Sequence, residues 1–209
     1  MAVTDYRKLN DVQIDALKEI GNIGSGNAAT SLSEILGKKV DMMVPHVDIM
    51  GYDEVMNLLG GPEVLASAVL VELKADMNGM MLFIQQQDFI VSLLSSLMGR
   101  ELHDLTEIEE MDVSAILEIG NILISSYVNA ISKLTGLVID ITVPSHTINM
   151  AGAILSVPIV RFAEESDSIL IIRCDFIIDQ EKFSCNLLMI PDLVSLNKIL
   201  ENLGVNIDG

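Results

Sequence analysis

Positive charge is scarce in this chain: 12 Lys and Arg stand against 30 Asp and Glu, a formal net charge of −18 over 209 residues. An acidic surface of that size repels nucleic acid and anionic lipid, which excludes both as expected partners. It leaves room for a phosphorylated protein that brings its own cations. Cysteine is nearly as scarce. Cys174 and Cys185 form no CxxC or zinc pattern and read as buried thiols of a cytosolic protein, not as a structural disulfide. The start, MAVTDYRKLN, lacks the apolar core and cleavage pattern of a signal peptide. The longest uncharged run, Ile141 to Val160, is broken by Pro144, Ser145, His146, Asn149 and Pro158, so it reads as strand, turn and strand, whereas a bilayer span needs about 20 mostly apolar residues. These absences together predict a soluble, cytoplasmic protein.

What is present is written twice. Glu19 and Glu118, Asn22 and Asn121, and Pro45 and Pro144 are each separated by 99 positions. The same spacing pairs Ala16 with Ala115, Gly21 with Gly120, Gly37 with Gly136 and Asp41 with Asp140, with no gap over some forty residues. An internal duplication sets the architecture. Each copy opens with a long helical pattern; in the first, Asn10 is placed to cap it with Gln13 at the third helical position, and Gly37 ends it. A β-type run follows, KVDMMVPHVDIM or LVIDITVPSHTI, then two further strands, ASAVLVELKA and GMMLFIQ matched by SILIIRCDFII and FSCNLLMI. A helix closes each half. YDEVMNLLGGPE reads as an additional short helix and turn.

Helix, three strands and helix, repeated, predict an α+β fold: a mainly antiparallel sheet packed by two long motif helices, with pseudo-two-fold symmetry. The repeats run over 10–99 and 109–204, joined by a charged connector at 100–108. No stretch rich in Ser, Gly or Pro separates them, so residues 1–209 read as one domain, with two separately folding halves as the weaker alternative. Because the pseudo-dimer is already built into one chain, a monomer is expected.

Helical geometry shows which face carries chemistry. At about 100° per residue, with Asp15 at zero, Glu19 falls near +40°, Asn22 near −20° and Gly26 near +20°. The second helix repeats the stripe with Ser114, Glu118, Asn121 and Ser125. Leu17, Ile14, Gly21, Gly24, Ala28 and Ile35 lie on the opposite side and are expected to pack. A polar helix face is ordinarily no more than a solvated one. Solvated faces drift, however, and here Glu and Asn recur in register on a side that packing does not need. EIGNIGSG is not a phosphate-cradling loop. Such a loop places its glycines between a strand and a helix, whereas these follow an acidic helical turn, and the second copy replaces Gly24 and Gly26 by Leu123 and Ser125.

The repeated pattern, Asp/Ser-x-x-x-Glu-x-x-Asn followed after 22 residues by Pro, resembles the signature of the CheC/CheX/FliY family of chemotaxis phosphatases, which hydrolyse the aspartyl phosphate of the response regulator CheY. Members of the CheX type carry one motif and dimerise, and the FliY type adds a switch-binding domain. Two motifs without such a domain are most similar to the CheC type. The resemblance implies a protein aspartyl-phosphate phosphatase with two sites. Asn22 and Asn121 would orient the attacking water through a neutral carboxamide, Glu19 and Glu118 would pair with the regulator's Lys, and Asp15, Gly26, Ser114 and Ser125 would contact the docked regulator. Positioning dominates such a reaction. Mg²⁺ is supplied at the regulator's own site, so no cofactor or metal of this chain is implied. Pro45 and Pro144 would shape the strands that follow them.

The family also implies a second partner, the receptor deamidase CheD, docking through the short helix of the second half. The matching stretch is Asn149 to Val157, with Asn149, Ala151, Ile154 and Leu155 as its contacts. Members that bind CheD carry an acidic residue near the start of that helix, where this sequence has Asn149. The alternative to an enzyme is a CheC-like binding module that holds the phosphorylated regulator or CheD without turnover. His46, His103 and His146 have no ligand spacing, and the SxxK match at Ser195 to Lys198 stands alone within a terminal helix.

Overall fold

A computed structural model describes residues 3–99, 101–162, 167–178 and 180–205; Arg100, the first residue of the connector, lies outside them. In chain order the first half comprises α1 (Asp11–Leu36), β1 (Val40–Met42), β2 (His46–Gly51), α2 (Tyr52–Leu58), β3 (Leu65–Ala75), β4 (Gly79–Gln86) and α3 (Gln87–Met98). The second half repeats the series as α4 (Glu110–Thr135), β5 (Ile139–Ile141), β6 (Ser145–Met150), α5 (Ala151–Phe162), β7 (Ser168–Ile178), β8 (Glu181–Pro191) and α6 (Leu193–Asn202).

The ends of the long helices follow from local chemistry. The Asn10 side chain accepts from the Gln13 N–H at 3.0 Å, and the Gln13 side chain accepts from the Asn10 N–H at 2.9 Å, a closed capping box. For α4 the Glu109 N–H donates to Asp112 Oδ2 at 2.9 Å. Gly37 and Gly136 terminate the two helices in the left-handed region, at φ 60° and 74°, where a side chain would be strained.

The β-type run of each copy is two strands, not one. Met42 pairs with Phe176 and His46 with Arg173, so three residues on one side oppose two on the other. Ile141 with Leu73 and Ser145 with Leu70 show the same step. Each extra residue makes a bulge containing Pro45 or Pro144, which have no N–H to give a ladder. Both prolines directly precede the strands they were expected to shape.

All pairings are antiparallel. The sheet order is β1-β7-β8-β4-β3-β5, with β2 also on β7 and β6 also on β3. The halves have therefore exchanged strands: β1 and β2 of the first complete the second, β5 and β6 of the second complete the first, and β4 meets β8 at the centre. Neither half holds a complete sheet of its own. Strand alternation explains why the sequence runs are apolar nearly throughout, since both faces are covered. Val69, Val71, Phe83, Leu170 and Leu187 join the core beneath α1, α3, α4 and α6. Ala68, Leu82, Ile84, Ile171 and Leu188 join a second core beneath α2 and α5. In the first core Phe89 sets its ring edge-on to Phe83, Phe176 and Phe183 at 5.8–6.0 Å.

Two expectations are overturned. Residues 151–160, read as turn and strand, belong to the helix α5, which holds Pro158 within it. The other lies at the middle of this sheet. Cys174 stands directly opposite Cys185 in the β7–β8 ladder, with Cα atoms 5.3 Å apart, and the two are joined as a disulfide. The thiol reading came from spacing and an expected cytosolic setting, neither of which carries information about register; facing positions on adjacent strands bring the sulfurs within bonding range. By length and composition α4 could also cross a membrane, but Ile116, Leu123, Tyr127 and Ile131 on its apolar side are buried in the core.

Candidate active site

Both motif helices lie on one face of the sheet, and each presents its stripe outward. Asp15, Glu19, Asn22 and Gly26 are all exposed on α1, as are Ser114 and Glu118 on α4. Asn121 and Ser125 are half-buried. The structure thus brings the predicted residues together as two separate stripes, one per helix.

The opposite side of each helix explains the glycines. A Cβ on Gly120 would stand 2.8 Å from Val69 Cβ, and one on Gly21 would stand 3.1 Å from Val47 and 3.3 Å from Pro45. These two glycines permit close helix–sheet approach. Gly24 has another reason, which periodicity could not reveal. The long helices pack directly on each other, and a Cβ on Gly24 would stand 2.5 Å from the ring of Tyr127. The Tyr127 hydroxyl is 2.7 Å from Ser25 Oγ, both buried, and burial pushes the phenol pKa up to about 12. Small residues on α1 receive a large one on α4, so the second copy had no need of a glycine where Leu123 stands. Ile35, expected on the packed side, is exposed in the last turn of α1.

The two stripes differ chemically. On α1, Asp15 pairs with Lys18 at 2.8 Å, and this hydrogen-bonded carboxylate holds the Lys18 ammonium pKa above its ordinary value. Gly26 has no side chain, and a Cβ there would meet nothing within 4 Å. On α4, the Ser114 hydroxyl donates to the Glu110 carbonyl at 3.0 Å. There Ser125 Oγ donates to Asn121 Oδ1 at 3.4 Å.

Other sequence candidates fall elsewhere. Asn149 is exposed at the end of β6, opposite Ala66, and its Oδ1 accepts from the Met150 N–H. Ala151, Ile154 and Leu155 are at most 4% exposed, buried in the second core. As direct partner contacts these three are corrected, because the apolar side of α5 packs on the sheet; a protein docking on α5 would meet Val157 and Val160, 47% and 84% exposed. Ser195 is buried with its Oγ accepting from the Asn78 N–H, and Lys198 donates to the Asp76 carbonyl, so the SxxK pair serves the fold. His146 is half-buried against Ser67 at 2.9 Å. Among the described residues no group of three or more His, Cys, Asp or Glu could hold a metal ion.

Comparison with known proteins extends these observations. The model of the CheC-like family matches residues 12–49 and 111–148, the two copies of the motif segment. The chain is 30% identical over 209 residues to the CheY-P phosphatase CheC of Bacillus subtilis, covering 97% of this chain and 99% of that protein. It is 28% identical over 143 residues to the flagellar motor switch phosphatase FliY of the same organism, covering 68% of this chain and 37% of that one. The crystal structure of Thermotoga maritima FliY superposes with a TM-score of 0.73 at 23% identity, over 94% of this chain and 98% of that one. With the repeated motif and the shared fold, the full-length relationship is decisive: the chain belongs to the CheC-like family.

Proposed function

We propose that this protein is a phosphatase for the aspartyl phosphate of a CheY-type response regulator, with one reaction site on α1 and one on α4. The supporting observation is the recurrence of an outward Glu-x-x-Asn pair on both helices, while nearby positions such as Lys18 and Leu117, or Gly24 and Leu123, have diverged. The regulator brings the Mg²⁺ and Lys that neutralise its phosphoryl oxygens. Asn22 or Asn121 then accepts a hydrogen bond from a water and holds it in line with phosphorus. A neutral carboxamide suits this place, because a carboxylate would be repelled by the phosphoryl group. Glu19 or Glu118, one turn earlier, pairs with the regulator's Lys and sets the register of docking. Water forms the new P–O bond, the bond to the aspartyl carboxylate breaks, and inorganic phosphate leaves. The contribution is positional, so it depends on a rigid helix face more than on any shifted acid or base.

The test is the decay of the phosphorylated regulator with wild type, Asn22→Ala, Asn121→Ala and the double variant. The expected result is accelerated decay with wild type, partial activity in each single variant, and loss in the double. Unchanged decay with wild type would leave the protein as a binding module.

A further inference from the structure

We infer that Ser125 is a positioning residue for Asn121, which makes the α4 site the faster of the two per bound regulator. The inference rests on the proposed phosphatase reading. Ser125 lies one helical turn beyond Asn121, and its hydroxyl donates to Oδ1 at 3.4 Å. That bond occupies one of two lone pairs on Oδ1 and leaves the other for water. It also limits rotation of the carboxamide. Asn22 has no such support: it is exposed, and the corresponding position is Gly26. An unrestrained carboxamide presents its NH₂ end as readily as its oxygen, so part of its population is unproductive and must be ordered during each turnover. Removing a restraint on one side chain of this kind is worth roughly two- to tenfold in rate. Packing does not require Gly26 to be glycine, because a side chain there would enter open space. The difference between the sites is therefore a difference in catalytic preorganisation, and Ser125 is assigned to holding Asn121 instead of touching the regulator.

The experiment isolates each site. In an Asn22→Ala background only the α4 site remains; Ser125→Ala and Ser125→Gly should lower kcat about two- to tenfold with KM for the phosphorylated regulator unchanged, and Ser125→Thr should restore it. In an Asn121→Ala background, Gly26→Ser should raise kcat by a similar factor at an exposed position where folding is not at risk. An unchanged kcat in Ser125→Ala, an effect confined to KM, or an Asn22→Ala variant without turnover would each overturn the inference. A double Asn22→Ala/Asn121→Ala variant with wild-type activity would instead overturn the phosphatase-site reading beneath it, so the two failures are distinguishable.

Discussion

Gly24 and Gly26 lie two residues apart in the same helix, yet replacing each by Ala should have opposite effects. In an unhindered helix interior Ala is better than Gly by up to about 1 kcal/mol. Gly26 is unhindered, since its Cβ would meet nothing within 4 Å, so Gly26→Ala should stabilise by about that amount. At Gly24 the new methyl would stand 2.5, 2.7 and 2.8 Å from three ring atoms of Tyr127. The ring is fully buried and anchored through its hydroxyl to Ser25, so it cannot swing aside. Overpacking of this kind costs about 1–3 kcal/mol, and loss of the Ser25–Tyr127 bond adds about 1 kcal/mol. After the propensity gain, Gly24→Ala should be destabilising by about 1–3 kcal/mol. The two variants should then differ by roughly 2–4 kcal/mol, a Tm difference of order 5–15 °C for a chain of this size. Urea denaturation followed by circular dichroism reads this directly. A Gly24→Ala protein as stable as Gly26→Ala would refute the claim that the long helices are held together through that contact.

Other outcomes follow from individual contacts. Burial holds the His146 pKa below its ordinary value of 6.5, so the unfolded chain takes up a proton first as pH falls. Its contribution is complete above about pH 6.5 and is lost below it; the fall in urea midpoint between pH 7.5 and 5 should be smaller in His146→Gln than in wild type, and an equal fall would contradict the assignment. The Cys174–Cys185 bond closes a short loop, with a sequence separation of 11; reducing it should lower stability by up to about 3 kcal/mol, seen as an earlier urea midpoint with dithiothreitol that Cys174→Ser/Cys185→Ser reproduces.

Much of this molecule is legible in its sequence because local chemistry and periodicity are sufficient causes. Asn10, Gln13 and Gly37 bound α1 wherever it packs, and the 99-residue spacing announces a pseudo-symmetric fold. The turn of a helix separates Glu19 and Asn22 from Leu17 and Gly21, so the exposed stripe could be named before any coordinate. Periodicity reports which side of an element is covered, but not what covers it. Only the tertiary structure decided that Gly24 faces Tyr127, that β1 and β2 pair with a strand from the other half, that Cys174 and Cys185 meet across a ladder, and that Ala151, Ile154 and Leu155 point inward. Each is a contact between residues distant in sequence, selected by packing and strand register, which no local pattern encodes. The unequal support of Asn22 and Asn121 has both origins. Gly26 and Ser125 are written in the sequence, but the bond from Ser125 to Asn121 appears only once the side chains are placed.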